Sequence, residues 1–102
     1  PKMLRACKRK DMLERMLRNL KAIYLRDQDV DRALRVVDLI VRIQPGSAED
    51  LRDRGVLYAS LDCYGLAARD LESYLALAPQ AKDAEDLAAR VAVLRTKASR
   101  LN

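Results

Sequence analysis

Apolar residues recur at spacings of three and four along most of the chain, with short polar interruptions between the runs. Leu13, Met16, Leu17, Leu20, Ile23 and Tyr24 form the first stripe and predict an amphipathic helix over residues 11–26. Asp11, with Glu14 three positions on, has the form of a capping box at its start. Asp27-Gln28-Asp29 then breaks the stripe with residues that bond their own backbone in turns. A second helix follows, carrying Val30, Ala33, Leu34, Val37, Leu39, Ile40, Val41 and Ile43. So broad an apolar arc predicts a helix covered on two sides. Pro45 and Gly46 end it, and Ser47 with Asp50 supplies a cap for the next. Residues 48–79 read as two short helices folded back on each other. Large side chains (Leu51, Leu57, Tyr58, Leu61, Tyr64, Leu71, Tyr74, Leu75) alternate there with small ones at Gly55, Ala67 and Ala68, which let backbones approach closely. A last helix is predicted over 83–100, apolar at Leu87, Val91 and Leu94 and polar elsewhere.

The chain is similar to itself at a shift of 34 residues. Leu17 falls on Leu51, Arg18 on Arg52, Tyr24 on Tyr58, Ala33 on Ala67, Arg35 on Arg69 and Pro45 on Pro79. These are the positions a stacked helix pair constrains most: a large residue in the first helix, a small one in the second, and the closing proline. The two copies span 14–47 and 48–81, and the helix at 83–100 is expected to cap them. Residues 1–10 form a basic lead-in or linker, and 11–102 the folded domain.

Composition narrows the reading. Half of the 102 residues are apolar and Phe and Trp are absent, so the core is built from Leu, Val, Ile, Met and Ala. No apolar run approaches the ~20 residues needed to span a bilayer, nor does the start carry a signal peptide's apolar segment. A cytoplasmic location without membrane contact is expected. The chain opens on Pro1, as expected of a processed or truncated protein. The net charge of +5 is unevenly placed: residues 1–26 hold nine Lys or Arg against Asp11 and Glu14.

Candidate chemistry is sparse. There is no His, and Cys7 and Cys63 lack metal-ligand spacing, so neither a metal site nor a cofactor is expected and both thiols are read as free. No glycine-rich phosphate loop or nucleophile–base pair is present, and no catalytic residue is assigned. Asp50, Asp53, Asp70 and Glu72 read as solvated carboxylates beside Arg52, Arg54 and Arg69. The tyrosines read as packing residues, not as stacking platforms.

The 34-residue period, with Leu51, Gly55, Tyr58, Tyr64, Ala67, Leu71 and Pro79 in the second copy and Met16–Leu17, Tyr24, Val30, Ala33, Val37 and Pro45 in the first, resembles the tetratricopeptide repeat. Leu51 stands where that family often has Trp, Asp62 where Gly is common, and Lys21 where the second copy has Gly55. The segments 16–25, 52–59 and 70–79 further resemble the carboxy-terminal tail of bacterial SirB-type proteins, which join a transglutaminase-like core to a tetratricopeptide tail. The resemblance implies an all-α right-handed superhelical stack of two helix hairpins plus a capping helix, without enzymatic activity. It also implies a concave protein-binding face lined by the first helix of each pair. In that frame the peptide-binding residues are Arg15, Arg18, Ala22, Arg26, Arg52, Val56 and Arg90, with Arg18 and Arg52 as repeat-equivalents. Such arginines suit a partner with acidic groups, including an upstream domain of a longer protein. The family's carboxylate clamp for chaperone tails places Asn where Ala22 and Val56 stand, so that mode is disfavoured. The alternative is phosphate-backbone contact to nucleic acid by residues 1–26, which the packing positions of the tyrosines leave without a stacking component.

Overall fold

The computed structural model describes residues 2–101, with side chains from Lys8 onward. Among these there are five helices and no strand: α1 (Lys2–Arg26), α2 (Val30–Ile43), α3 (Ala48–Ser60), α4 (Tyr64–Leu77) and α5 (Ala84–Leu101). The architecture is an all-α helical repeat. It divides into two compact units, the first holding α1 and α2 up to Pro45, the second holding α3, α4 and α5 from Gly46.

Both hairpins turn by the same device. At the end of α1 the Asp29 amide donates to the Tyr24 carbonyl (2.9 Å) and the Gln28 amide to Leu25 (3.2 Å). Thirty-four residues on, the Cys63 amide donates to Tyr58 (2.9 Å) and the Asp62 amide to Ala59 (3.1 Å). These pairs satisfy carbonyls that a helix end would otherwise leave without partners. The motif requires a left-handed residue, and Gln28 (φ 57°) and Asp62 (φ 61°) supply it where glycine is the usual choice. Asp29 then caps α2, its carboxylate accepting from the Arg32 amide (3.2 Å). The second helices also end alike, with the Gln44 amide donating to Ile40 and the Ala78 amide to Tyr74, both at 2.8 Å. Pro45 and Pro79, lacking an N–H, then stop the ladder.

The repeat-equivalent pairs Leu17/Leu51, Ala33/Ala67, Val37/Leu71 and Ile40/Tyr74 are all buried. In the first unit Leu17, Val36 and Ile40 pack with Leu20, Tyr24 and Ile43. In the second, Ala67, Ala68, Leu71 and Tyr74 pack with Leu87 and Leu94 of α5. At Gly55, α3 and α4 approach closely. A Cβ there would lie 2.8 Å from Leu71 Cγ and 3.3 Å from the Ala67 carbonyl.

Several expectations are corrected. The helix predicted at 11–26 begins at Lys2 instead, so Asp11 lies in mid-helix and no capping box forms there. Lys and Arg are good helix formers, and their charge hid the continuity of the opening segment. Met16 and Ile23 are not core residues, at 53% and 39% exposure, and Leu39 and Leu61 are exposed as well. Ser47 makes no side-chain bond to the α3 backbone; its hydroxyl donates to the Asp50 carboxylate. Asp50 and Asp70 are not solvated but buried, and the bidentate grip of Arg54 on Asp70 (2.7 and 2.8 Å) holds the latter.

Candidate functional site

The repeated arginines are engaged inside their own units. Arg18 donates to the Gln44 side-chain carbonyl (2.8 Å), and the Gln44 amide donates in turn to Glu14 (3.0 Å). The side chains of α1 thereby hold the exit of α2. Arg52 Nε donates to Asp83, whose other oxygen accepts from the Tyr74 hydroxyl (2.7 Å). This ties α3 and α4 to the turn that leads into α5. The Tyr74 and Arg52 hydrogen bonds hold the Asp83 carboxyl below the usual range, and the bond to Asp83 raises Arg52 and Tyr74. Each repeated arginine therefore closes its hairpin, and Arg52 already holds a carboxylate of its own chain.

The other expected site residues fall in both units. Ala22 and Arg26 are exposed on α1, Arg26 beside Asp27 at 3.4 Å, and Val56 is half-buried against the core of the second unit. Arg15 lines a shallow depression along α1 with Met12, Met16, Asn19 and Leu20. Arg90 lies in a groove of the second unit. That groove, of about 310 Å³, has Ala59 of α3 on one wall, Asp62 and Tyr64 at the hairpin turn, and Arg90, Val93 and Lys97 on the α5 wall.

The α5 wall follows from helix periodicity. Arg90, Val93, Leu94 and Lys97 stand at i, i+3, i+4 and i+7, so they share one face. Leu94 points into the core at 7% exposure, while Val93 stands 54% exposed between the two cations. Lys97 Nζ lies 5.3 Å from the centroid of the Tyr64 ring, within cation–π range. Burial raises the Tyr64 phenol pKa, and its hydrogen bond with Asp62 raises it further. The groove thus offers an apolar strip with Arg90 and Lys97 beside it and the Asp62 carboxylate also in its lining. Arg90 belongs to the binding set expected from sequence; Lys97 and Tyr64 do not, and the i+7 spacing of Lys97 from Arg90 was the available signal.

Among the described residues no cluster of His, Cys, Asp or Glu could hold a metal, and no helix is long and apolar enough to cross a membrane. Cys63 is a half-buried free thiol whose Sγ lies 3.8 Å from the Leu61 carbonyl; the side chain of Cys7 lies outside the described residues.

Comparison with known proteins agrees with this architecture. The chain is 43% identical over 68 residues to the UPF0162 protein of Xylella fastidiosa (strain Temecula1), covering 67% of this chain and 24% of that protein. It is 33% identical over 69 residues to a UPF0162 protein of Buchnera aphidicola, and 26% identical over 87 residues to protein SirB1 of Salmonella typhimurium, covering 32% of the latter. The chain spans about a quarter to a third of the length of these relatives. The sequence profile of the tetratricopeptide repeat matches residues 20–92, from the first hairpin into α5, and the chain belongs to the tetratricopeptide repeat family.

Proposed function

We propose that this chain is a non-catalytic protein-interaction module, and that the groove between α3 and α5 binds a short segment with acidic groups flanking a small apolar side chain. The observation that carries this reading is the α5 wall, where exposed Val93 sits between Arg90 and Lys97 beside the small Ala59. Helical repeats commonly present such concave surfaces to extended or helical peptides. Val93 offers an apolar anchor point, and each charge-assisted bond to Arg90 or Lys97 contributes about 1.5–3 kcal/mol once desolvated. Of the site residues expected from sequence, Arg90 takes the binding role and Val56 packs against the core of the same unit, while Arg18 and Arg52 serve as hairpin staples. In the longer relatives the bound segment would belong to a neighbouring domain of the same polypeptide, a transglutaminase-like one by the resemblance of the sequence.

The test is a nuclear magnetic resonance titration of the labelled chain with peptides bearing Glu or Asp on both sides of a Val or Leu. Shifts at Ala59, Arg90, Val93 and Lys97, abolished in Arg90→Glu/Lys97→Glu, are expected. Binding to nucleic acid alone, steeply salt-dependent and unchanged in that variant, would refute the groove and favour phosphate contact by residues 1–26.

A further inference from the structure

One face of α1 carries a seam that its own unit leaves exposed. Leu17 turns towards α2, with Leu20 and Tyr24 beside it, whereas Met12, Met16 and Ile23 lie on the far side at 68%, 53% and 39% exposure. Met12, Met16 and Asn19 line the shallow depression there, about 350 Å³ in volume. Lys8, Arg15 and Arg26 project along one edge of this seam, since they share nearly one angular position on the helix and all are exposed. An apolar strip next to a row of three cations is a two-part recognition surface, and methionine side chains adapt to more than one apolar shape.

We propose that this seam of α1 docks an amphipathic helix of a partner protein, whose apolar side chains lie over Met12, Met16 and Ile23 and whose acidic side chains line up against Lys8, Arg15 and Arg26. Charge complementarity selects that occupant. A second copy pairing through the same face would set its own Lys8, Arg15 and Arg26 against an equally basic surface. Nucleic acid would satisfy the cations but leave the methionines in water, and no aromatic side chain stands in the seam to stack a base. A membrane-surface helix typically presents Trp, Phe or Leu on its apolar face, whereas the seam presents Met12, Met16 and Ile23. The seam lies on α1 and shares no residue with the groove of the second unit, so the two readings stand or fall separately.

The experiment uses fluorescence anisotropy with a designed helical probe carrying Leu at i, i+4, i+7 and i+11 and Glu along one edge. A scrambled peptide of the same composition, anionic phosphatidylserine vesicles and a duplex DNA serve as competing probes. The helical probe should bind at least about tenfold more tightly than the scrambled one. Met12→Asp/Met16→Asp, and separately Lys8→Glu/Arg15→Glu, should each weaken it by about tenfold or more, with an unchanged circular dichroism spectrum and melt. Arg90→Glu should leave it unaltered, which separates this seam from the groove. Equal binding of the scrambled peptide would overturn the proposal, as would preference for vesicles or DNA. So would a dimer in sedimentation that Met16→Asp abolishes.

Discussion

The two repeats solve one packing problem in two ways, and exchanging the solutions tests the account of what holds the second unit. Leu20 and Val36 belong to the apolar cluster of the first unit. Their equivalents at a shift of 34 are Arg54 and Asp70, a buried ion pair whose side chains are 13% and 2% exposed. Replacing Asp70 by Val, the first repeat's residue, removes the carboxylate that the Arg54 guanidinium grips with two hydrogen bonds. Removing one partner of a buried pair typically costs about 3–5 kcal/mol, because the remaining charge stays desolvated. Arg54 retains a little solvent and lies 6.0 Å from the Tyr58 ring centroid, so the lower end, about 3 kcal/mol, applies here. That is a large part of the ~5–15 kcal/mol that holds a chain of this size, and it lowers Tm by roughly 15 °C. The double exchange Arg54→Leu/Asp70→Val removes both charges and restores the apolar pair of the first unit. It should be more stable than Asp70→Val alone, as buried pairs replaced by packed apolar groups are compared with half-removed ones. Urea unfolding followed by circular dichroism reads both variants, with an unchanged m confirming that the same surface is exposed. If the double variant is as unstable as Asp70→Val, the loss comes from packing and not from a stranded charge, and the reasoning fails.

Three further outcomes follow from single contacts. Gly55→Ala gains about 1 kcal/mol of helix propensity but forces its Cβ against the fully buried Leu71, which costs about 1–3 kcal/mol, so a net loss is expected. Combining it with Leu71→Ala should cost less than the two single changes added together, and strict additivity in denaturant melts would count against the close approach. Gln28→Gly relieves a left-handed glutamine and should add roughly 0.5–1 kcal/mol, read as a raised urea midpoint; a lowered midpoint would show that the glutamine side chain stabilises the turn. Asp83 is held below its usual pKa, so its contribution is complete above about pH 4 and is lost as pH falls through the lowered value. The stability gap between parent and Asp83→Asn should therefore narrow between pH 4 and 2, and a gap constant across that range would sink the clamp.

How much of this was legible depends on where the determining contacts lie. The helix pairs, their closing prolines and the buried positions 17, 33, 37 and 40 with their counterparts are written as periodicity and repetition, and a single sequence carries both. The burial of Asp70 is not written that way. On paper it is a charge next to Arg69, and only the fold brings Arg54 of the preceding helix across to it. The opening of α1 was obscured for a related reason. Charge in residues 1–10 erased the apolar stripe, while the basic residues that erased it favour helix. The candidate groove was half legible, because Arg90 and Val93 follow from the face of α5, whereas Tyr64 enters it only because the hairpin turn places it beside Lys97.

The repeated arginines carry a more general consequence. Identity between repeats at Arg18 and Arg52 suggested a shared binding column, but in each unit that arginine closes the hairpin on a side chain that follows the second helix. Repetition marks what every unit requires in order to fold. Surfaces that recognise a partner have no such reason to repeat, because the partner need not be periodic. Exposed residues that break the 34-residue pattern are therefore where the two proposed surfaces lie. Lys97 corresponds to Cys63, Arg90 to Val56, Met12 to Gly46 and Met16 to the buried Asp50. The first two of these pairs define the α5 wall of the groove and the last two the seam of α1. Apolar or cationic side chains stand exposed there, and their equivalents at a shift of 34 are of another kind.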